Sequence, residues 1–309
     1  MNSTEPFLDF GHGHWFDHLD SSRRFMWSTA DLPRLASLLE LRPGMRIADF
    51  GCGWGFLGHL LLPLISPGGR VDGFELQDEL IQRGRERITE AGQSGRIVIH
   101  QADITNLDEV QDDRYSLAIC QTVLMHLNRP DKALAEMSRV VKPGGLVVAI
   151  EPDLLAASAS RRDNLDGEDF DHLRTRLLVD TYAMQGCRKS GAGDYRIAAK
   201  LPSLMNQAGL LESRLWFNPM SYQCSPPYSE HGDDYASYLI EHYESGAAKE
   251  FESTWKMLFE AGGGPTDLWQ RYEERESVLA EERLTTLRKG TYRVAGSGLL
   301  GVCTARVPV

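Results

Sequence analysis

Residues 46–55, RIADFGCGWG, run from an apolar strand into an acidic residue and then through glycines at 51, 53 and 55. A strand that ends this way must turn sharply, and its bare backbone leaves room for a ligand that any Cβ would displace. The feature points to an α/β sheet holding a nucleoside-bearing cofactor at this strand end.

Two frames compete for the glycines. Gly53-x-Gly55-x-x-Gly58 satisfies the dinucleotide fingerprint, in which a pyrophosphate rests on a helix N-terminus. Asp49-x-Gly51-x-Gly53-x-Gly55 places a carboxylate ahead of the loop. There it would repel a pyrophosphate but could hold the ammonium of an amino-acid moiety, directly or through water. The second frame resembles the first motif of the class I S-adenosylmethionine-dependent methyltransferases.

The following segments favour that frame. After an expected helix from Trp54 to Ile65 and the turn at 66–69, RVDGFEL reads as a strand ending in Glu75, about twenty positions past the glycines, where either family takes ribose hydroxyls. RIVIHQADI ends in Asp103, YSLAICQTVLMHLNRP gives a fourth strand and a helix start, and KALAEMSRVVKPGG with LVVAIEPD gives a helix and a fifth strand. The LMHLNRP and VVKPGG segments resemble the same family, and the resemblance spans roughly residues 44–153. It implies S-adenosyl-L-methionine as cofactor, with S-adenosyl-L-homocysteine as product. The implied cofactor residues are Asp49, Gly51, Gly53, Gly55, Glu75, Leu76, Asp103, Ile104, Gln121 and His126. In this assignment Asp103 receives the adenine amine and His126 lines the pocket.

The fold expected is α/β: a Rossmann-like seven-stranded sheet with its last strand antiparallel and a helical cap inserted between the sixth and seventh strands. Arg196 to Ala208 reads as a helix, Gly209 as its C-cap, LLESRLWF (210–217) as the sixth strand, and 291–307 as the last. Between them, helical patterns carry Tyr235, Tyr238, Leu239 and Tyr243, then run from Lys249 to Ala261 and from Thr266 to Leu287. The domains expected are thus a segment 1–45 covering the cofactor, a core 46–217, a cap 218–290 and a final strand 291–309. Two-thirds of the aromatic residues fall in 1–45 and 216–290. They could wall a dry acceptor pocket or simply fill the interior of a helical subdomain.

A chain of 309 residues, 42% hydrophobic, can bury a sizeable core. Five cysteines, odd in number and without C-x-x-C spacing, indicate neither a disulfide framework nor a zinc site. With no basic leader and no run of about 18 apolar residues, a cytoplasmic protein without membrane contact is expected. A net charge of −11 with no basic stripe argues against nucleic acid.

FGHGHWFDHLDSSRRFMW (10–27) contains His12, His14 and His18. No metal is expected there, because methyl transfer from a sulfonium needs no Lewis acid; the segment is read instead as folding over the cofactor, with His14 as a polar contact or proton acceptor. Glu151, ending the fifth strand, is the first candidate for an acceptor-contacting carboxylate, with a capping role as the alternative. Tyr195 could reach the substrate from a mobile loop, unless Asp194 simply caps a helix. The function expected is methyl transfer to a small molecule, aromatic or amine-bearing, at oxygen, nitrogen or carbon; a homodimer through the N-terminal segment or cap is possible. The alternatives are an NAD-dependent oxidoreductase, whose Tyr-x-x-x-Lys is absent after the fourth strand, and a noncatalytic S-adenosylmethionine-binding protein.

Overall fold

The computed structural model describes residues 23, 26–27, 32–164, 170–228 and 230–309, with backbone alone at 218–222, 230–234 and 297. After helix α1 (Leu32–Leu38), the strands β1 (Arg46–Phe50), β2 (Arg70–Glu75), β3 (Ile97–Gln101), β4 (Tyr115–Gln121) and β5 (Val141–Pro152) pair in parallel in the order β3-β2-β1-β4-β5. Between them come α2 (Phe56–Leu61), α3 (Asp78–Glu90) and α4 (Pro130–Val140). The expected helix from Trp54 to Ile65 is shorter, because Pro63 turns its end into a 3₁₀ segment, Leu62–Ile65.

These strands are buried on both sides, as parallel sheets are. Along β1 the side chains alternate between two clusters. Ala48 and Phe50 join Phe74, Ala118 and Cys120 on one face, whereas Ile47 joins Val71, Leu117 and Ile119 on the other. The strand order reverses between β1 and β4, which opens a crevice at their carboxyl ends.

Beyond β5 lie β7 (Leu211–Cys224) and β8 (Val294–Arg306); β8 runs antiparallel to both β5 and β7, as the last strand was expected to do. The two extend far past β5, and a two-residue strand β6 (Arg162–Asp163) pairs with the overhang of β8, an eighth strand not foreseen. The expected helix at 196–208 divides into a 3₁₀ turn, Ile197–Lys200, and α7 (Leu201–Gln207), with Pro202 at its start.

The insertion folds as α8 (Glu230–Glu244), α9 (Ala247–Gly262) and α10 (Thr266–Arg288), close to the three helical patterns in the sequence. It packs on a helix that periodicity concealed, α6 (Phe170–Ser190), which follows the short α5 (Leu154–Ser160). Along α6 the buried positions include His172, Arg176 and Asp180, and these polar residues break the apolar stripe that marks a core-facing helix. Helices α6 and α9 meet at glycines: a Cβ on Gly186 would lie 1.8 Å from the Leu258 carbonyl oxygen, and one on Gly262 would lie 1.9 Å from that of Tyr182. The aromatic residues of α9 and α10 largely turn inward. Trp255, Phe259 and Trp269 are buried in the same cluster as Val179, Met184 and Tyr195, so they fill the interior between helices and sheet instead of walling an open pocket.

Candidate active site

At the β1 carboxyl end, Gly51 and Gly53 adopt φ of +64° and +55°. A Cβ on Gly51 would come within 2.6 Å of Val123, whereas one on Gly53 would meet nothing within 4 Å. The first glycine is therefore required by the packing against the β4 end, and the second borders open space. Gly55, at φ +87°, caps α2.

The space beside Gly53 is a pocket lined by Asp49, Gly51, Gly53, Trp54, Leu80, Gln121 and Arg23, among others. Asp49 is 2% exposed, and its Oδ2 has no hydrogen-bond partner among the described residues. Burial, reinforced by the nearby Glu75 charge, pushes its carboxyl up to about 8, with Arg23 opposing. Asp72, buried as deeply in β2, shows how this chain normally treats such a group: it accepts from Arg46, Arg70 and the Tyr115 hydroxyl at 3.2, 2.9 and 3.0 Å.

Glu75 ends β2 and braces the loop. Its Oε2 accepts from the Gly53 N–H at 2.9 Å, and its Oε1 accepts from those of Leu76 and Gln77 at 2.8 and 3.0 Å. Burial raises its carboxyl and these three donors lower it, the net direction being up. Carboxylate lone pairs remain for hydroxyl donors. Leu76 is 47% exposed beside it. Asp103 is exposed two residues past β3, with Oδ1 held by the Thr105 N–H and hydroxyl, both at 2.8 Å. Ile104 corrects the expectation: its side chain is buried in the core with Phe74 and Leu107, so only its main chain is left for a ligand.

At the β4 end, Gln121 lines the pocket and is fixed from both sides, its Oε1 accepting from Trp27 Nε1 at 3.0 Å and its Nε2 meeting Met26 Sδ at 3.2 Å. Thr122 follows with φ +53°, a left-handed conformation that a β-branched residue rarely adopts and that marks functional loops. His126 stands behind this turn, 3.3 Å from the Tyr195 hydroxyl; it is not among the pocket-lining residues. Burial, then the Arg23 charge, lowers it to about 4, so it is neutral at pH 7.

Two catalytic candidates are corrected. Glu151 is fully buried, and its carboxylate accepts from the N–H groups of Val123, Leu124 and Met125 at 3.0, 2.8 and 3.4 Å. It caps the turn after β4 instead of facing an acceptor. Burial pushes it to about 7 against those donors. Tyr195 is buried in an edge-on stack with His126 and Trp255, not carried on a loop that reaches outward. Asp194 accepts from the Arg196 N–H at 3.1 Å, consistent with a turn-capping role. His14, with Trp15 and Phe16, lies outside the described residues. Among those described, no group of three or more His, Cys, Asp or Glu is placed to hold a metal, and no helix is long and apolar enough to cross a membrane.

Sequence reasoning missed Arg23. It donates to Thr122 Oγ1 at 2.6 Å and contacts Met26 Sδ at 3.0 Å. Burial lowers its guanidinium to about 10, while Glu151 and Asp49 act in the opposite sense. No motif spacing ties residue 23 to residue 49; only the fold brings them to one pocket.

The residues fit an amino-acid nucleoside: a buried acid whose Oδ2 has no donor among the described residues, a glycine facing open space, and acids at the ends of β2 and β3. The comparisons agree. Residues 41–185, just under half of the chain, match the family model of a methyltransferase domain. The ubiquinone/menaquinone biosynthesis C-methyltransferase UbiE of Bordetella avium is 32% identical over 112 residues, 36% of this chain and 43% of that protein. The S-adenosyl-L-methionine-dependent Diels-Alderase iccD of Talaromyces variabilis is 33% identical over 153 residues, 49% and 50%. The chain thus spans half or less of these curated relatives. Among solved structures, a phosphoethanolamine N-methyltransferase of Haemonchus contortus in complex with S-adenosylhomocysteine shares the fold with TM-score 0.51 at 13% identity, over 97% of this chain and 59% of that one. Residues 41–185 are thus similar to a methyltransferase domain, carried on a sheet that shares the fold of solved methyltransferases.

Proposed function

We propose that this chain transfers a methyl group from S-adenosylmethionine to a small-molecule acceptor. The observation that carries the reading is Asp49: a buried carboxylate with an unpartnered oxygen at the foot of a glycine-lined pocket suits an ammonium and disfavours a pyrophosphate. In this reading Asp49 receives the methionine ammonium, Glu75 the ribose hydroxyls and Asp103 the adenine amine, while the exposed Leu76 offers an apolar face to the ring.

When bound, the cofactor supplies an activated sulfonium methyl. The protein's task is then to align the acceptor, exclude water and accept any proton released. We place the acceptor above the carboxyl ends of β4 and β5, beside Thr122. Trp54 and Phe56 line the pocket beside Asp49, which favours an aromatic or amine-bearing metabolite. His126, neutral at pH 7 behind the Thr122 turn, is a group able to take a proton. The similarity to a Diels-Alderase motivates a second reading, in which the cofactor is held without methyl transfer.

Calorimetric titration with S-adenosylhomocysteine and, separately, NAD tests the cofactor. We expect micromolar binding of the first, weakened in Glu75→Ala and Asp103→Ala, and none of the second. Binding of NAD alone would overturn the reading. Screening acceptors with isotopically labelled S-adenosylmethionine then separates transfer from a binding role.

A further inference from the structure

We infer that Arg46, Arg70 and Arg114, gathered with His100 around Asp72, form a site for a compact dianionic oxyanion, a phosphate or a phosphomonoester, at the end of the sheet opposite the glycine loop. The inference goes beyond methyl transfer and does not rest on it. Along β1 the chain climbs about 16 Å from Arg46 to Gly51, so this site is separate from the cofactor pocket.

Strand pairing puts the cations together. Arg46 and Arg70 open β1 and β2 as register partners, so they lie side by side on the face that carries Phe50 and Phe74. Like charges in that position repel. Asp72, two residues along β2, shares the face and is fully buried. Its Oδ1 accepts from Arg70 Nε at 2.9 Å, and its Oδ2 accepts from Arg46 Nη2 at 3.2 Å and the Tyr115 hydroxyl at 3.0 Å. Arg114 Nη2 lies 3.6 Å from Oδ2, and His100 Nε2 lies 4.0 Å from Oδ1.

One carboxylate does not balance three guanidiniums. Among the described residues, Asp72 is the only carboxylate within 4.0 Å of Arg46, Arg70 or Arg114, so three positive charges face one negative before His100 is counted. Elsewhere in this chain of net charge −11 the ratio is reversed: Arg283 serves Asp163 and Glu276, and Arg139 serves Glu136 and Asp112. Each arginine of the cluster turns one nitrogen to Asp72 and keeps donors for another acceptor. The four basic side chains are 35–44% exposed, within reach of a solute. Access is open because residues 102–114 cross from β3 to β4 without a helix, whereas α2, α3 and α4 fill the other crossovers of the parallel sheet. The cations are also held in place, since Arg46 and Arg114 lie over the Tyr115 ring at 5.8 and 5.6 Å, and His100 stacks on Phe74 at 5.4 Å. Guanidinium forks match phosphate oxygens, and a dianion cancels a surplus of two charges. Convergence on a single carboxylate suits a compact anion and not an extended polyanion.

Equilibrium dialysis of the full chain against inorganic phosphate and, separately, glycerol 3-phosphate, at fixed ionic strength in chloride, tests the site. The wild type should bind one equivalent saturably at or below about 1 mM, and Arg70→Gln and Arg114→Gln should each weaken that binding by about 10- to 100-fold, the worth of a charge-assisted hydrogen bond. Arg114→Lys should keep part of the affinity through its charge. Tighter binding of glycerol 3-phosphate assigns the site to a phosphomonoester, and binding of phosphate alone assigns it to the free ion. Thermal melts in chloride show which variants are folded; Arg114→Gln, which gives up only the 3.6 Å contact, keeps the test decisive if Arg70→Gln does not fold. Unchanged affinity in a folded Arg114→Gln protein would overturn the inference, and so would the lack of saturable binding of either anion by the wild type at about 10 mM.

Discussion

Replacing Asp49 by asparagine should stabilise the free protein while weakening its ligand. The carboxyl is pushed from its ordinary value of 3.8 to about 8 by burial first and Glu75 second. A raised acid favours the folded state in its protonated form. Its contribution is therefore intact below pH 3.8 and is lost progressively as pH rises towards 8, at about 1.4 kcal/mol per pH unit. By pH 7 this has cost the fold about 4 kcal/mol, because the unfolded carboxyl is ionised while the folded one is still held largely protonated. An amide of the same shape escapes that loss but keeps a burial cost of about 1–3 kcal/mol for unpaired polar atoms. The net gain for Asp49→Asn is about 1–3 kcal/mol at pH 7, or roughly 2–6 °C in melting temperature. At pH 5 it should be close to zero. Thermal melts of wild type and variant from pH 5 to 9, without ligand, measure the difference. It should widen with pH, while S-adenosylhomocysteine affinity falls at least about tenfold through loss of the charged acceptor. A difference that stays flat with pH, or a variant less stable at pH 8, would show that Asp49 is not an uncompensated buried acid.

Glu151→Ala removes the acceptor of the Val123 and Leu124 N–H groups, which are held at 3.0 and 2.8 Å; denaturant unfolding should report a loss of about 2–4 kcal/mol. Unchanged stability with abolished turnover would restore Glu151 as a catalytic candidate. Gly186→Ala places a methyl 1.8 Å from the Leu258 carbonyl oxygen, so α6 and α9 must separate at a cost of about 1–3 kcal/mol. A melting temperature equal to wild type would contradict the close packing of these helices.

Much of the parallel sheet was legible because its strands are short apolar runs ending in punctuation: glycine after Phe50, acid at Glu75, Pro-Gly-Gly before Leu146. The helices of the insertion were legible because their buried aromatics recur at helical spacing. Helix α6 was not, since its buried positions hold His172, Arg176 and Asp180, which are satisfied by neighbours that no local pattern reveals; Asp180, for one, accepts from Trp255 Nε1 at 2.9 Å across 75 residues. The inward turn of Trp255, Phe259 and Trp269 was likewise open in sequence, because an aromatic stripe reads the same whether it faces a ligand or a sheet.

The sequence by itself determined the order of the parallel strands and the helices between them and the glycine loop that follows Asp49, because both depend on residues within one turn or one strand of each other. Only the tertiary structure decided what the charged groups do. Whether an acid is a cap, a brace or an empty acceptor depends on which donors reach it, and those donors come from distant elements: Val123 and Leu124 for Glu151, Gly53 for Glu75, and for Asp49 Oδ2 none among the described residues. Arg23 acquires its role for the same reason. Charge interactions act through space and depend on desolvation, and neither the distance nor the burial is written in the spacing of residues along the chain.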